Sequence, residues 1–456
     1  MKRSPLMILF VCVFIDLLGF GLIIPLLPVY VKYFGGTPTI SGWMAGCYSL
    51  MQFLFAPLWG KLSDRVGRRP VIIGSLIGSA VSFTLFGLAN SLWLLFAARV
   101  AGGILTSAGL PTAMAYITDS TTAENRGRGM AMIGTAFGLG FATGPWLGGK
   151  LAEHFGLAGP PFFAAAMAAL NFFWALIALP ESHHERKEVP HVSQWSQFQR
   201  AFSIPALAEL FVLFIVVNFA FSNLEATLTW LLIGRFHLVE SDAASLAGQV
   251  FGVVGVTVLV VQAALMSHLW RHIPSSRIWG SGIIGGFATG FLVWAILQTA
   301  GPLHTGLIVL GVILSLPTGF LLMAGMIGLI SKYTGERGLV IFGALVMGIT
   351  LIWIGHATIV WLMTLLTAIL AVGDGLLNPS LSSLISQAAP QAERGSVMGV
   401  QQGLGSLMRI VGPVVGTWLF QHVGMPAPYW LAGILMLIGC GLGLKVKAHP
   451  ATAESH

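Results

Sequence analysis

A short charged loop between two apolar runs decides the fold class of this chain. The loop reads Gly60-Lys61-Leu62-Ser63-Asp64-Arg65-Val66-Gly67-Arg68-Arg69-Pro70. It joins apolar runs at about 41–60 and 70–90, and a helix needs about 20 apolar residues to cross the hydrocarbon core of a bilayer. The stretch therefore predicts two membrane-spanning helices that are joined by a tight polar turn.

The composition extends this prediction to the whole chain. Of the 456 residues, 56% are hydrophobic and only 9% are charged, and the mean hydropathy is +0.85. Because the bilayer core holds no water, a backbone crosses it only as helices or as a closed barrel. The apolar runs lack the two-residue alternation of barrel strands, so we expect an all-α polytopic membrane protein.

The apolar runs also divide the chain into domains. We predict about fourteen spans, at about 6–31, 41–60, 70–90, 92–118, 129–151, 161–179, 206–233, 245–267, 277–299, 305–330, 338–354, 357–388, 396–420 and 428–446. The longest polar stretch separates the sixth span from the seventh. The predicted domains are an N-terminal six-helix bundle over 1–180, a cytoplasmic linker over 181–205, a C-terminal bundle over 206–448 and a tail over 449–456.

The positions of lysine and arginine predict how the chain lies in the membrane. With the N-terminus inside, most loop cations fall on the inner side, and the outer side receives only Lys32, Lys150 and Arg235. Cytoplasmic loops carry such an excess of positive charge. We therefore expect an inner-membrane protein with both termini cytoplasmic, and we attribute the net charge of +7 to this pattern rather than to a nucleic-acid partner.

The second half of the chain repeats the first. A shift of 268 residues maps Gly67 onto Gly335 and Arg69 onto Arg337. The same shift pairs Pro111 with Pro379, Arg126 with Arg394, Gly144-Pro145 with Gly412-Pro413, Gly148 with Gly416 and His154 with His422. One gapless shift over about 95 residues indicates a duplication, as in many transporters.

The second half has two more apolar runs than the first. Span 245–267 resembles the second span at a shift of 210, which pairs Gly42 with Gly252 and Gln52 with Gln262. In this interpretation, 206–267 forms the seventh and eighth spans of a twelve-span core, and an extra transmembrane hairpin is inserted at about 270–324. The alternative makes 206–267 an additional pair between two complete halves.

Three further motifs accompany the charged loop. They are Asp16-Leu-Leu-Gly19-Phe-Gly21-Leu-Ile-Ile-Pro25-Leu-Leu-Pro28 in the first span, Ala98-Arg99-Val-Ala-Gly102-Gly103 in the fourth and Gly134-Thr-Ala-Phe-Gly138-Leu-Gly-Phe-Ala-Thr-Gly144-Pro145-Trp-Leu-Gly148-Gly149 in the fifth. Together with the loop they resemble the signatures of the major facilitator superfamily. The first-span motif is similar to the tetracycline/proton antiporters of its drug/proton antiporter branch. The resemblance implies two pseudo-symmetric six-helix bundles, here with the extra hairpin.

The resemblance also assigns a gating role to the charged loop. In that family the loop acid helps to close the inner gate against the other half. Asp64 would then face the first turn of the 396–420 span, where the helix dipole favours a carboxylate, and we expect Arg68 to pair with Asp119. The implied gating residues are Gly60, Asp64, Arg65, Gly67, Arg68, Arg69 and Asp119. A static charged loop is the alternative.

The fifth span carries two pairs of glycines at four-residue spacing. Such pairs allow two helices to pack closely, and the proline among them bends the span. The resemblance associates this pattern with exporters that run by antiport, whereas packing alone explains the glycines equally well. The residues of this antiporter motif are Gly134, Gly138, Gly144, Pro145, Gly148 and Gly149.

Charged residues inside the predicted spans are the candidate functional groups. Asp16, Glu225 and Asp374 lie near the middle of their spans, and Arg99 and Arg409 also lie within spans. A charge at the bilayer centre costs about 2.5–3.5 kcal/mol, so such residues normally face a cavity or a partner. Apolar surroundings favour the neutral form of a carboxyl group, which makes proton exchange possible. We predict sites for protons or for a cationic substrate at the three acids, with Arg99 tuning one of them; fixed arginine–carboxylate pairs are the alternative.

Two glutamines are weaker candidates for a substrate site. Gln52 and Gln262 lie inside spans and either bind a polar group of the substrate or pack against each other. Tetracycline antiporters carry further acids in the third and ninth spans and a histidine in the eighth, where this chain has Ser82, Met347 and Val258. This difference argues against tetracycline itself as the substrate.

Together these features predict a proton-coupled efflux antiporter that exports hydrophobic or amphiphilic drug-like compounds by alternating access. A lipid flippase, a small-metabolite uniporter or symporter and a non-transporting receptor, all of the same fold, are the alternatives. The sequence contains no phosphate loop or nucleophile elbow, and Cys12, Cys47 and Cys440 lack metal-site spacing, so we expect neither an enzyme nor a metal site. The expected partners are an amphiphilic small molecule, protons and the bilayer, with a monomeric protein and the proton gradient in place of a cofactor.

Overall fold

The computed structural model describes residues 5–121, 123–182, 194–266, 327, 334–390 and 393–443. Within these ranges the chain forms helices joined by short connections, and no strand occurs among them. Nine of the described helices are long and apolar enough to cross a membrane. The predicted all-α membrane fold is confirmed.

The first half contains the elements α1 (Pro5–Ile23), a 3-10 turn (Ile24–Leu26), α2 (Leu27–Tyr33), α3 (Pro38–Val66), α4 (Arg68–Gly87), α5 (Leu92–Thr106), α6 (Gly109–Ser120), α7 (Ala123–Phe155) and α8 (Gly159–Ala178). Two predicted spans are interrupted. The first span changes to a 3-10 turn at Pro25, because proline lacks the backbone N–H that a continuous helix requires. The fourth span is broken at Ser107–Ala108.

The second half follows a short helix of the linker. Its elements are α9 (Gln194–Ser203), α10 (Pro205–Phe236), α11 (Glu240–Met266), α12 (Thr334–Ile354), α13 (Val360–Ala388), α14 (Arg394–His422) and α15 (Ala427–Gly443). The predicted spans 277–299 and 305–330, and with them the hairpin at about 270–324, lie outside the described residues apart from Ile327. The count of about fourteen spans and the domain bounds therefore stay predictions.

Helix packing repeats between the halves. α7 packs on α1 in the first half, and α14 packs on α10 in the second. Between the halves, α3 packs on α14 and α11 packs on α7. Among the described residues, these two helix pairs form the largest part of the interface between the halves.

Glycines bring the packed helices close together at equivalent places. A methyl group on Gly144 of α7 would meet the backbone of Gly21 in α1, and one on Gly412 of α14 would meet Ser222 and Phe219 in α10. Gly144 and Gly412 are partners under the shift of 268 residues. The close helix packing that the small residues of the fifth span predict is present here.

The contacts between the halves correct the register of the repeat in α11. Gly42 of α3 lies against Pro413 of α14, and Gly248 of α11 lies against the equivalent Pro145 of α7. Gly42 therefore corresponds to Gly248, and the predicted match of Gly42 with Gly252 is wrong by four residues. Four residues are about one helical turn. The slip keeps glycine opposite glycine on the same helix face, so the sequence pattern accommodates both registers.

The two ends of the bundle differ in how closely the halves approach. We name the end that carries the Gly60–Pro70 loop the motif end, and the opposite end, with the connection between α2 and α3, the far end. At the far end, Lys32 Nζ lies 3.5 Å from Glu240 Oε1, and the Thr39 amide donates to Gln421 Oε1 at 3.1 Å. Both contacts join the first half to the second.

The motif ends of the interface helices are less tightly packed. Apart from Ser63, the buried residues of α3 lie within 41–49, whereas Leu54 and Leu58 are 50% and 56% exposed. No atom approaches within 4 Å of the position that a methyl group would take on Gly60, Gly134, Gly395 or Gly399. In the described residues, the close glycine contacts between the halves therefore lie toward the far end.

Candidate functional site

A central cavity lies between the two halves. It is lined by residues from α1, the 3-10 turn, α2, α3 and α5 on one side and from α10 and α14 on the other. The lining residues are Phe20, Ile24, Leu27, Pro28, Ser41, Ala45, Tyr48, Ser49, Arg99, Ser222, Glu225, Ala226, Arg409 and Pro413. Most of this surface is apolar. Three of the lining side chains carry charge.

Arg99, Glu225 and Arg409 bring charge into this cavity. Arg99 is 6% exposed, and its guanidinium carbon lies 4.6 Å from the centroid of the Tyr48 ring. Arg409 Nη2 donates to Ser406 Oγ at 2.9 Å. Glu225 interacts electrostatically with both arginines. Among the described residues, however, no carboxylate lies within 4.0 Å of either guanidinium, so the fixed arginine–carboxylate pair is not formed here.

Polar and aromatic side chains orient Tyr48 at the edge of the cavity. Its hydroxyl group lies 3.0 Å from Thr106 Oγ1 and accepts a hydrogen bond from Gln52 Nε2 at 3.1 Å. The ring of Phe20 packs against Tyr48 with 5.7 Å between centroids. Gln52 thus does not line the cavity itself but helps to hold the Tyr48 hydroxyl in place. In the corrected register, Gln262 on α11 is equivalent to Ala56 and not to Gln52.

Asp16 occupies a separate cavity within the first half. This second cavity lies between α1, α4 and α6, and Cys12 and Ser75 also line it. Asp16 Oδ1 accepts a hydrogen bond from Ser79 Oγ at 2.6 Å. One helical turn further along α1, Phe20 lines the central cavity. The structure therefore separates Asp16 from Glu225, which lies on α10, although α1 borders both cavities.

Asp374 lies in a third place. It is 8% exposed, and its carboxylate accepts a hydrogen bond from Asn378 of the same helix. The neighbouring Gly373 lies against Met347 of α12, and Gly375 lies against Val261 of α11. Asp374 lines neither of the two cavities, so the structure does not bring the three predicted acids together.

The charged loop forms a compact cluster around Arg68. Its guanidinium contacts Asp64 and donates to Ser63 Oγ at 2.7 Å. The Nε atom of Arg68 lies 3.0 Å from Asp119 Oδ2. The expected contact between Arg68 and Asp119 is present. The ion pair of Asp64 is with Arg68 of its own half, and half of the Asp64 side chain is exposed.

Glu181 completes this cluster and escaped the sequence analysis. Its carboxylate accepts hydrogen bonds from the amides of Arg68 at 2.9 Å and Arg69 at 3.2 Å. Glu181 thereby caps the first turn of α4, where backbone N–H groups lack helical partners. Gly67 precedes this turn at φ +105, and a side chain there would collide with the Glu181 carboxylate. No local pattern reveals this contact, because it joins residues that are 113 positions apart.

Replacing Glu181 by alanine is expected to destabilise the protein by about 0.5–2 kcal/mol, the range measured for loss of a helix N-cap. The thermal unfolding midpoint of the purified protein in detergent measures the effect. Glu209→Ala, at an exposed position near the start of α10, is the matched control. Equal midpoints for the two variants would contradict the capping role.

The antiporter motif of α7 forms contacts with both halves. Gly148 lies against Leu22 of α1, and Gly149 lies against Ala244 of α11. Gly138 faces Leu259 of α11. Pro145 lies inside α7. The motif thus forms part of the interface across which the halves would move.

Sequence comparisons find relatives over nearly the whole chain. The tetracycline resistance protein, class E, of Escherichia coli is 28% identical over 449 residues, which cover 97% of this chain and 93% of the relative. Multidrug resistance protein 1 of Bacillus subtilis (strain 168) is 27% identical over 450 residues, which cover 98% and 97%.

Structure comparisons agree on the fold. The human organic anion transporter MFSD10 (TETRAN) superimposes with a TM-score of 0.63 at 23% identity, covering 97% of this chain and 99% of that structure. A mutant of the nucleoside transporter NupG gives a TM-score of 0.65 at 11% identity, with 97% and 98% covered. The family profile described as Major Facilitator Superfamily matches residues 9–339 and, in a second match, residues 302–455. The chain belongs to the Major Facilitator Superfamily.

Proposed function

We propose that the protein is a proton-coupled efflux antiporter that exports amphiphilic drug-like compounds by alternating access. The observation that carries this proposal is the presence of two separate cavities along α1. The central cavity between the halves holds the substrate, and the second cavity holds Asp16 as the proton-binding group. Relatives named for tetracycline and multidrug resistance support export of drug-like compounds.

The lining of the central cavity suits such a substrate. Small-molecule pockets commonly combine apolar walls with a few polar groups. Here Phe20, Ile24 and Leu27 supply apolar surface, and Ser41 and Ser49 supply hydroxyl groups. An amphiphilic compound fits this combination better than a sugar-like metabolite, which needs many hydrogen-bonding partners.

Asp16 is the proposed proton carrier because its carboxylate is partly buried and, among the described residues, no cation lies within ion-pair distance of it. Its hydrogen-bonding partner, Ser79, accommodates either protonation state, since the Ser79 hydroxyl both donates and accepts. Proton binding changes the charge on α1, and α1 also contributes Phe20 to the central cavity. In this mechanism a change of charge at Asp16 alters the packing of α1 and biases the rocking of the halves.

The difference between the two ends defines the conformation within this mechanism. With both termini placed in the cytoplasm of a monomer in the inner membrane, the motif end is the cytoplasmic end. The contacts of Lys32 with Glu240 and of Thr39 with Gln421 then close the external side. The state described is thus inward-facing. Closer packing of the two halves at the motif end, where the glycines lack near neighbours, would produce the outward-facing state.

The test uses purified protein in proteoliposomes with an imposed pH gradient and an internal pH-sensitive dye. We expect amphiphilic compounds to dissipate the gradient only when the protein is present, because each transported molecule is exchanged for protons. A flippase would move labelled lipids without proton flux, and a uniporter would transport its substrate at an unchanged rate without a gradient. Either result would contradict the antiport proposal.

A further inference from the structure

We infer that the central cavity binds an anionic group, so that the transported amphiphile carries a carboxylate, a sulfonate or a group of similar charge. This inference rests on the proposed function, because it names the substrate class of the same cavity. It differs from the cationic substrate that the acids inside the spans predict from the sequence. The deciding feature is the arrangement of Arg99, Arg409 and Glu225.

The fixed charges of the cavity do not cancel. Two guanidinium groups and one carboxylate line it, and in the described residues no acid, Glu225 included, lies within 4.0 Å of either guanidinium. An arginine remains protonated in proteins, so the two cations exceed the single Glu225 carboxylate. A buried charge without a partner is strongly unfavourable. A ligand with a negative group lowers this cost when it binds.

Arg99 has the geometry of a prepared anion site. It is 6% exposed, and its Nε is buried without an acceptor in the described structure. The Tyr48 ring below the guanidinium holds it in place, and Gln52 and Thr106 in turn position the Tyr48 hydroxyl. A guanidinium presents its N–H donors in a planar fork that matches a carboxylate. The site therefore offers oriented donors before the ligand arrives.

Arg409 supplies a second cation from the other half. Its Nη2 bonds to Ser406 on the same helix, which leaves further N–H donors for a ligand in the cavity. Because Arg99 belongs to α5 and Arg409 to α14, an anion between them would join the two halves. Glu225, on α10, would repel an anion placed beside it and so favours a position toward the two arginines.

The remaining lining determines the rest of the ligand. Around the charged groups the surface consists mainly of Phe20, Ile24, Leu27, Ala45 and Pro413. This surface favours an apolar body next to the anionic group. A permanently cationic amphiphile would contact the same apolar surface. Its charge, however, would be repelled by the two arginines and attracted only by Glu225.

The test measures equilibrium binding of two radiolabelled probes to the full-length purified protein. Taurocholate is the anionic amphiphile, and tetraphenylphosphonium is the cationic one. We expect wild-type protein to bind taurocholate, and Arg409→Gln and Arg99→Gln to weaken this binding about 10- to 100-fold, as loss of a hydrogen bond to a charged group does. Arg200→Gln, at an exposed position on α9, should bind as wild type.

Each outcome has a defined meaning. Tetraphenylphosphonium binding without taurocholate binding would overturn the anion inference and leave the proposed efflux function standing. Taurocholate binding that is unchanged in Arg409→Gln would also overturn the inference, and this variant is informative even where Arg99→Gln does not fold. Absence of binding for both probes would contradict the proposed function together with the inference.

Discussion

Replacing Asp16 by asparagine is expected to abolish proton-driven export while substrate binding stays within about twofold of wild type, a difference of at most roughly 0.4 kcal/mol. Asparagine has nearly the same shape as aspartate and keeps an oxygen that accepts the hydrogen bond from Ser79 Oγ. It cannot bind and release a proton in the physiological range. The fold is therefore retained and only the coupling group is lost.

Binding is expected to persist because Asp16 does not line the central cavity. Its carboxylate belongs to the separate cavity between α1, α4 and α6, whereas Phe20, one turn away, contacts the substrate space. The two effects are measured on the same preparation: probe binding in detergent, and export from proteoliposomes with and without a pH gradient. Asp242→Asn, at an exposed position at the start of α11, is the matched control.

Two results would contradict the separation between proton coupling at Asp16 and substrate binding in the central cavity. Full gradient-driven export by Asp16→Asn would remove Asp16 from the coupling mechanism. A parallel loss of binding and transport would instead make Asp16 part of the substrate site. Neither result is expected from a side chain that is held by Ser79 within one bundle.

Much of the fold was accessible from the sequence because lipid imposes strong rules on composition. Apolar runs of sufficient length must be helices, and helices occupy every predicted span within the described residues. The glycine pairs of the fifth span also predicted close packing correctly, since Gly144 and Gly148 lie directly against α1. These features depend on local sequence, so one amino-acid sequence is enough to predict them.

The register of the internal repeat and the grouping of the acids were harder to predict, because both depend on contacts between segments that are distant in the sequence. The repeat of α3 in α11 was misplaced by four residues because glycines recur at that interval on both helices. The predicted acids are separated into three places because mid-span depth does not specify which face of a helix a residue occupies. Asp16 and Asp374 each point to neighbours of their own half, and only Glu225 reaches the central cavity.

A reversible cross-link across the far end is expected to stop transport completely. In a background that lacks Cys12, Cys47 and Cys440, the changes Thr39→Cys and Gln421→Cys place two thiols on opposite halves. The wild-type residues are in contact, since the Thr39 amide donates to Gln421 Oε1 at 3.1 Å; Gln421 is exposed and Thr39 is half-buried. A short bifunctional methanethiosulfonate should join them readily in the state described.

The cross-link blocks transport because alternating access requires the far end to open in each cycle. Binding from the motif end should survive, and treatment with a reductant should restore export. The control pair, His356→Cys with Trp430→Cys, lies at the same end, where the two wild-type side chains are 3.0 Å apart. Both control positions belong to the second half, so their cross-link leaves the halves free to move and should not reduce export.

The comparison of the two pairs isolates relative movement of the halves from any effect of the reagent. If the pair at 39 and 421 cross-links fully and export continues at the uncross-linked rate, the far end does not gate the cavity and rocking about it is excluded. If this pair fails to react while the control pair reacts, the contact between Thr39 and Gln421 is absent from the resting protein. The expected pattern is loss of export in one pair only. That pattern requires the far end and the motif end to open and close alternately during transport. Damage to one half does not explain it, because the control cross-link leaves export intact.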